Sequence, residues 1–359
     1  MQLSPLNDRH VALGAKFAEF GGWSMPLQYS GIVDEHHATR SAVGIFDVSH
    51  LGKLSVTGKG ALDFCNTVLA NDLDKVGPGR AQYTMLCTPE GGVVDDLIAY
   101  VNSPDDVFCI PNAANNAEVV RILTELAPEG IAVTNRHTEF AVLAVQGPRS
   151  ADLLRDLGYP VDLAYMSFGY VPERPGVSVC RTGYTGEHGY ELVIPSGEAA
   201  AVFDDLMAAG EKYDARPAGL GARDTLRTEM GYALHGQDIS PDIVPVSAGL
   251  GWAIGWAKPA FRGSEALRAI KDAGPKRRQR GLRSLGRGIP RPGMAVLDAD
   301  GTEIGVVTSG TFSPTLKIGI GLALVDANVK PGDEVSVAVR NRVEPFAVVK
   351  PPFVEAGVK

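Results

Sequence analysis

The chain has 359 residues, of which 45% are hydrophobic and 21% are charged. This balance is typical of folded globular proteins and excludes disordered and fibrous classes. One hydrophobic core rarely organises more than about 250–300 residues, so we expect two or three domains. The 34 basic and 42 acidic side chains give a net charge of −8, which argues against nucleic acid as a partner.

The spacing of cysteine and histidine argues against a disulfide framework and against a metal site. The cysteines lie far apart without the Cys-x-x-Cys spacing of a zinc or redox pair; they are Cys65, Cys87, Cys109 and Cys180. Only His36 and His37 are adjacent histidines, and no carboxylate at metal-ligand spacing accompanies them. Neither a signal peptide nor a run of about 18 apolar residues is found. We therefore predict a cytoplasmic protein without a metal and without membrane binding.

Strands and helices interleave in the first part of the chain. A helix is predicted over residues 34–43, with Asp34 as its N-cap. Apolar or alternating runs bounded by turn residues predict strands at 53–57, 93–101 and 107–110. Apolar residues at helical spacing predict helices over 60–69 and 114–126. Because no parallel βαβ rhythm appears, an antiparallel sheet is expected.

The same alternation of strands and helices recurs downstream, and short strands then replace it near the end of the chain. Strands are predicted at 141–145, 177–180 and 190–194, and helices over 148–157, 197–213 and 264–273. Two α+β units are the economical interpretation. The basic run Lys276–Arg278, with further arginines behind it, is interpreted as a solvated linker at a boundary. Short strands separated by Gly, Pro and Asp follow it and predict a small all-β barrel or sandwich.

Two adjacent acids, Asp95 and Asp96, lie in an apolar strand that begins at Gly91-Gly92. A buried carboxylate costs several kcal/mol unless it is paired or hydrogen-bonded, so a partner is expected for at least one of them. Side chains alternate along a strand, and only one of the two can address a given pocket. The alternative is structural, with one Asp tying the turn and the other in a salt bridge.

The segment from Arg181 to Glu191 places three glycines among aromatic and acidic residues between two predicted strands. Glycine lets a backbone approach a flat ligand closely, while a Tyr ring can stack on that ligand and a Glu can accept from its N–H groups. A plain hairpin with solvated acids is the alternative.

The glycine-rich segment from Arg216 to Asp224 resembles a phosphate loop only superficially, because the Gly-Lys-Ser/Thr ending and the Gly-x-Gly-x-x-Gly spacing are missing. Asp224 is expected at or near a helix start, which leaves Arg223 to donate a planar fork of hydrogen bonds; an ordinary ion pair is the alternative. Ser49 and His50 are neighbours on an extended segment, and no Gly-x-Ser-x-Gly elbow exists, so serine hydrolysis is not supported.

Together these segments resemble the T-protein (aminomethyltransferase) family along nearly the whole chain. Further matching blocks are Leu13–Lys16, Phe20–Trp23, Met25–Leu27, Gly44–His50, Asn112–Asn115, Gln146–Pro148, Gly236–Asp238 and Thr308–Thr315. The resemblance implies an α+β fold arranged as a three-domain cloverleaf, with two mixed α/β sheet domains around a central folate pocket and a C-terminal antiparallel β-barrel. The expected division is 1–52 plus 138–245 for the first domain, 53–137 for an inserted domain carrying the catalytic acid, 246–275 for a connector and 276–359 for the barrel.

The same resemblance implies the activity and the site. An aminomethyl group on the dihydrolipoyl arm of the H-protein of the glycine cleavage system would give its carbon to tetrahydrofolate, with release of ammonia and formation of 5,10-methylenetetrahydrofolate. Asp96 corresponds to the catalytic acid, which would orient the folate amine and stabilise developing positive charge. Contacts to the folate are carried over to Tyr83, Asn112, Tyr184, Glu191, Arg223 and Tyr232. Metal ions are not expected.

The chain departs from the family at a few positions. Ser247 replaces a common Glu, so a contact from that Glu cannot be transferred, and His188 replaces a common Asp. The tail after Phe353 lacks an aromatic residue that some relatives carry. The alternatives are a tetrahydrofolate-dependent demethylase of the same fold and a non-catalytic folate-binding relative, and the intact acidic and arginine motifs favour catalysis.

Overall fold

The structure is a computed structural model that describes residues 1–339 and 342–358. Its α-helices are α1 Asn7–Ala12, α2 Ile32–Ser41, α3 Ala61–Val68, α4 Asn116–Leu126, α5 Ser150–Asp156, α6 Ala199–Gly210, α7 Leu220–Met230 and α8 Ser264–Ala273. Single 3₁₀ turns occur at Leu73–Lys75, Ala113–Asn115, Ser196–Glu198, Glu211–Tyr213 and Gly251–Ala253. Within these residues no helix has the length and apolar character needed to cross a membrane.

The strands of the first half of the chain are β1 Gln2–Leu3, β2 Lys16–Phe20, β3 Trp23–Gln28, β4 Val43–Asp47, β5 Leu54–Thr57, β6 Arg80–Cys87, β7 Val93–Ser103, β8 Asp106–Pro111, β9 Ala132–Asn135 and β10 Phe140–Gln146. Those of the second half are β11 Phe168–Tyr170, β12 Ser178–Cys180, β13 Gly189–Pro195, β14 Ala215–Pro217, β15 Arg277–Ser284, β16 Ala295–Leu297, β17 Glu303–Ser313, β18 Ile318–Asp326, β19 Glu334–Val339 and β20 Arg342–Val349.

The described chain divides into two compact units. The first unit contains residues Met1–Thr84 and Asp95–Arg223, together with the end of the chain from Gly357. The second contains Met85–Val94 and Asp224–Ala356. Strands β6 and β7 and helix α7 each continue from one unit into the other.

A six-stranded sheet with the order β11-β12-β13-β10-β4-β14 is the centre of the first unit. Strand β10 pairs with β13 and β4 in antiparallel register and is buried along almost its whole length. Helix α6 covers the sheet because Val202, Phe203 and Leu206 fall on one helical face and join the apolar core. A small three-stranded sheet, β1-β3-β2, also lies in this unit.

A second sheet has the order β6-β7-β8-β5-β9. Strand β8 pairs antiparallel with both β7 and β5, as the sequence predicted. Helix α3 buries Ala61, Phe64, Cys65 and Val68, and helix α4 buries Val119, Ile122 and Leu123. These residues recur every three or four positions and therefore lie on one face of each helix. The apolar periodicity from which the two helices were predicted thus corresponds to their buried faces.

The second unit contains a closed barrel with the strand order β15-β18-β17-β16-β19-β20. Its described pairings are all antiparallel, and side chains such as Leu282, Val307 and Phe346 fill its interior. Of the two predicted alternatives, the barrel is correct. The mixed α/β sheets and this barrel confirm the predicted α+β fold class.

Two local predictions were wrong. Helix α2 begins at Ile32 with Gly31 at the N-cap position, so Asp34 lies inside the first turn and is not the N-cap. The buried Glu35 carboxylate accepts the N–H groups of Tyr29 and Gly31 at 2.6 and 3.1 Å and so holds the segment that enters the helix. The basic run is not a linker. These residues lie at the beginning of strand β15 of the barrel. Arg277 and Arg278 are exposed to solvent there, so a basic run is compatible with a strand as well as with a linker.

Candidate functional site

Two of the predicted site residues, Tyr83 and Asn112, contact a third, the carboxylate of Asp96, in the first unit. Burial alternates along β7, with Asp95 buried and Asp96 half-buried. The Tyr83 hydroxyl donates to Asp96 Oδ2 at 3.0 Å, and Asn112 Nδ2 donates to Asp96 Oδ1 at 2.9 Å. Asn112 is in reach because it directly follows β8, whose Pro111 pairs with Leu97 of β7. Burial, and then the Asp96 charge, raise the pKa of Tyr83 well above its usual value, so this hydroxyl keeps its proton and remains a donor.

Asp95 is buried and is compensated by amide groups. Asn112 donates to it twice, from its backbone N–H at 2.9 Å and from Nδ2 at 2.9 Å, and Asn115 Nδ2 donates at 2.7 Å. Burial, and next the Asp96 charge, raise the pKa of Asp95 to about 8, while these amide donors act in the opposite direction. The prediction that a buried Asp here needs compensation is confirmed, although the partners of Asp95 are amides and not the cation of a salt bridge.

The orientation of Asn112 follows from these two carboxylates. Its Nδ2 donates to Asp95 Oδ1 and to Asp96 Oδ1, both at 2.9 Å. A side-chain amide has two N–H donors, and both have acceptors here. Among the described residues no group donates to Asn112 Oδ1. The group that Asn112 can offer to a ligand is therefore an acceptor.

The loop that joins β12 to β13, residues 181–188, is held by one side chain from β10. Gln146 Nε2 donates to the carbonyls of Thr182 and Tyr190 at 3.2 and 3.1 Å, and its Oε1 accepts from the Thr185 hydroxyl at 2.9 Å. A Cβ at Gly183 would lie 2.1 Å from Gln146 Oε1, and one at Gly189 would lie 2.5 Å from Gln146 Nε2. A side chain at either position would have to displace the Gln146 amide from these hydrogen bonds. The two strands predicted on either side of this loop are confirmed, and they pair in antiparallel register.

Glu191 lies on β13, opposite Ala144 of β10 and Cys180 of β12. Its side chain is buried, and its Oε2 accepts a hydrogen bond from the Thr182 hydroxyl at 2.6 Å. A carboxylate can accept about four hydrogen bonds. In the part of the chain that the structure describes, Thr182 is its one donor, so this buried carboxylate retains capacity for a ligand. Sequence reasoning did not single out Thr182 or Gln146.

Arg223 and Tyr184 meet as a stacked pair. The guanidinium carbon of Arg223 lies 4.6 Å from the centroid of the Tyr184 ring, within the range of a cation–π interaction. Helix α7 begins at Leu220, so Asp224, which was expected at or near a helix start, lies four residues after the first residue of the helix. Its carboxylate accepts from Arg227 Nε at 2.8 Å, one helical turn further on.

Tyr232 belongs to the second unit, whereas the other predicted site residues belong to the first. Its N–H donates to the carbonyl of Arg227 at 3.0 Å, and its own carbonyl accepts from Arg227 Nη1 at 3.1 Å. Arg227 is itself buried and paired with the buried Asp238 at 2.9 Å. The backbone at Tyr232 is thereby fixed to a buried ion pair of its own unit.

Two of the three departures from the family, His188 and Ser247, take part in backbone hydrogen bonds. The His188 carbonyl accepts the N–H of Gly147 at 2.7 Å, and burial lowers the pKa of its imidazole, so that the ring is neutral at neutral pH. In the second unit, the Ser247 carbonyl accepts the N–H of Gln279 at 2.7 Å. Among the described residues, no cluster of three or more His, Cys, Asp or Glu side chains has a geometry that could hold a metal ion.

Comparisons with known proteins cover the chain from end to end. The family model described as "GCVT N-terminal domain" matches residues 6–258, and that described as "Glycine cleavage T-protein C-terminal barrel domain" matches residues 277–355. An aminomethyltransferase of Parafrankia sp. (strain EAN1pec) is 61% identical over 361 residues, which cover 99% of each chain. One from Mycobacterium avium (strain 104) is 60% identical, covering 98% of this chain and 96% of its own. A crystal structure of glycine cleavage system aminomethyltransferase T from Bartonella henselae superposes with a TM-score of 0.94 at 35% identity, covering 99% of this chain and 98% of that one.

Proposed function

The chain belongs to the glycine cleavage T-protein family of aminomethyltransferases, as its motifs predicted, and on that premise we propose that it transfers the methylene carbon of an aminomethyl group to tetrahydrofolate. The proposed donor is the aminomethylated dihydrolipoyl arm of the H-protein. In the balanced reaction, two folate nitrogens form bonds to the methylene carbon while its C–S and C–N bonds break. The two protons lost by the folate nitrogens leave with the thiol and the ammonia.

Folate recognition is proposed for four side chains of the first unit, which are those of Glu191, Asn112, Arg223 and Tyr184. The pterin ring carries N–H donors along one edge and a carbonyl beside them. The Glu191 carboxylate suits the N–H groups, and the Arg223 guanidinium suits the carbonyl while it stacks on Tyr184. Asn112 is assigned as an acceptor toward the folate, because its Nδ2 donates to Asp95 and Asp96.

The catalytic role is proposed for Asp96. When a folate amine attacks the methylene carbon, positive charge develops on that nitrogen and a proton must leave it. A carboxylate beside the nitrogen stabilises this charge and can accept the proton. The single observation that carries the proposal is that the Asp96 carboxylate is half-buried and held on both oxygens, by Tyr83 and by Asn112. Such a group is oriented before the substrate arrives, which lowers the cost of reorganisation.

We also propose the four-part division of the chain, at 1–52 with 138–245, 53–137, 246–275 and 276–359. It is supported by the six-stranded sheet, whose strands fall in 43–47 and 140–217, by the five-stranded sheet in 54–135 and by the barrel in 277–349. Tyr232 as a folate contact, the absence of a metal from the reaction and the cytoplasm as the compartment remain proposals too. Metal analysis of the purified active enzyme and cell fractionation test the last two.

The proposed reaction is tested with the purified protein and two classes of donor. Formation of 5,10-methylenetetrahydrofolate is measured with aminomethylated lipoylated H-protein, and in parallel with a methyl-sulfonium donor. We expect turnover with the first donor only, and strict dependence on tetrahydrofolate. Turnover with the sulfonium donor alone would instead support a demethylase, and folate binding without turnover of either donor would support a non-catalytic folate-binding protein.

A further inference from the structure

A chain of three buried polar side chains leads to Glu191 within the first unit. The Tyr100 hydroxyl lies 3.3 Å from the Thr182 hydroxyl, which in turn lies 2.6 Å from Glu191 Oε2. The exposed fractions of Tyr100, Thr182 and Glu191 are 2%, 3% and 8%, so water has little access to replace either contact. Neither Tyr100 nor Thr182 has a part in the reaction described above.

The hydrogen bonds in this chain have one direction. A carboxylate only accepts, so the single hydroxyl hydrogen of Thr182 is donated to Glu191. Thr182 Oγ1 must then accept from the Tyr100 hydroxyl. The Cys180 thiol also lies beside the Tyr100 hydroxyl, but sulfur is a weak acceptor and does not compete for this hydrogen with an oxygen whose own hydrogen is already engaged. Each link therefore strengthens the next, ending on the carboxylate.

This arrangement determines which part of Glu191 is available. Among the described residues Thr182 is the one group that donates to the carboxylate, and it engages Oε2. A Glu side chain rotates readily about its last bond, and one strong donor fixes that rotation. The second oxygen and the plane of the carboxylate are then set for a planar ligand edge. Loss of the donor leaves the Glu191 side chain buried but free to turn.

We infer that Thr182, supported by Tyr100, is a positioning residue that orients the Glu191 carboxylate for the N–H edge of the pterin. The inference rests on the proposed role of Glu191 in folate binding. It also connects two parts of the site, since Tyr100 lies four residues after Asp96 on the same face of β7, a distance of about 13 Å along the strand. The strand that carries the catalytic acid thus supports the folate-binding carboxylate as well.

The test compares Thr182→Val, which keeps the side-chain shape and removes the hydroxyl, with Thr182→Ser, which keeps the hydroxyl. We expect Thr182→Val to raise the KM and the Kd for tetrahydrofolate about fivefold to tenfold with kcat within about twofold, because one charge-assisted hydrogen bond is lost and Asp96 is untouched. Thr182→Ser should restore most of the affinity. Thr124→Val, on the exposed face of α4, is the matched control and should change neither constant.

Two further variants, Glu191→Ala and the double variant Thr182→Val/Glu191→Ala, distinguish failure of this inference from failure of the proposed folate contact. If Thr182 acts through Glu191, Thr182→Val should add no loss of affinity in the Glu191→Ala background. Additive losses, or wild-type affinity of Thr182→Val while Glu191→Ala binds weakly, would overturn the inference alone. Wild-type affinity of Glu191→Ala would instead overturn the proposed folate contact. Should Thr182→Val fail to fold, Tyr100→Phe breaks the chain one link earlier, and we expect an approximately twofold rise in Kd; an unchanged Kd would then contradict the inference.

Discussion

The two carboxylates of the candidate site are supported by different parts of the fold. Asp96 receives its donors from within its own sheet, from Tyr83 on β6 and from Asn112 directly after β8. Glu191 on β13 is supported by a loop residue, Thr182, and behind it by Tyr100 of the other sheet. Strand register therefore positions the proposed catalytic acid, whereas the packing between two sheets positions the proposed folate acceptor. We expect the two carboxylates to control different kinetic constants.

The largest expected effect comes from Asp96→Asn, which keeps the shape of the side chain and removes its charge. Turnover should fall on the order of 10²-fold or more, while tetrahydrofolate affinity changes little, because the charge matters most when the amine becomes cationic. Single-turnover kinetics and calorimetric titration measure the two quantities. Asp95→Asn is the neighbouring control and should mainly change folding stability. Near-normal turnover of Asp96→Asn would remove Asp96 from the catalytic role, and equal kinetic damage in both variants would remove the distinction between the two positions.

Glu191→Ala and Arg223→Ala should mainly weaken folate binding, in contrast to Asp96→Asn, which should mainly lower turnover. Each truncation leaves groups of the bound pterin without partners, so folate affinity should fall by about 1–3 kcal/mol, which is about fivefold to 150-fold. Association with the H-protein should stay unchanged in a pull-down with folded variants. Glu211→Ala, an exposed carboxylate after α6, is a suitable control. Unchanged folate affinity together with lost H-protein binding would assign these residues to the carrier interface instead.

An effect of a different kind is expected in the pH dependence of stability. The folded protein raises the pKa of Asp95 from 3.8 to about 8, so it binds this proton more tightly than the unfolded chain does. The contribution of Asp95 is therefore complete below about pH 4, and the free energy of unfolding falls as the pH rises towards about 8, by at most about 1.4 kcal/mol per pH unit. Urea unfolding from pH 5 to 8 measures the slope. Asp95→Asn should flatten it, and an identical slope in both proteins would contradict the assignment.

The smallest effect is expected for Arg223→Lys. Lysine keeps the positive charge but loses the planar fork that stacks on Tyr184. Folate affinity should fall by about 1 kcal/mol, or about fivefold, which is at the lower end of the range for Arg223→Ala. Fluorescence titration with tetrahydrofolate is sufficient to separate the two variants. If Arg223→Lys bound as weakly as Arg223→Ala, the guanidinium plane would matter more than its charge.

Local patterns in the sequence predicted those features that depend on near neighbours. Helix α3 was foreseen because its buried residues recur at helical spacing. Asp95 and Asp96 were singled out together because charged residues interrupt an apolar strand, and the choice of Asp96 came from the resemblance to the family. The N-cap prediction at Asp34 was wrong because the helix already begins at Ile32, and the local sequence does not decide the choice of its first residue. The choice depends on how residues 29–31 enter the helix.

Contacts between distant segments were beyond such patterns. Tyr100 and Thr182 are 82 positions apart, and neither carries a charge that would mark it as functional. Gln146 was visible as part of a motif, but its contacts with Thr182 and Tyr190 require that β10 and β13 are known to be neighbours. The residues proposed to contact a ligand could be predicted from the sequence because their side chains have the charge or the ring that such a contact needs. The residues that hold them became visible only once the sheets were placed.

The contact of Gln146 with Gly183 and Gly189 also limits how this chain can change by mutation. A Cβ at either glycine would overlap the Gln146 amide, so a single substitution there must move this amide away from the groups that it bonds. Replacement of Gln146 alone leaves the carbonyls of Thr182 and Tyr190 without their donor. We therefore expect each first step to remove hydrogen bonds of this loop, whichever position changes first. The three positions form an epistatic set, and neutral drift should leave them unchanged together or replace them together.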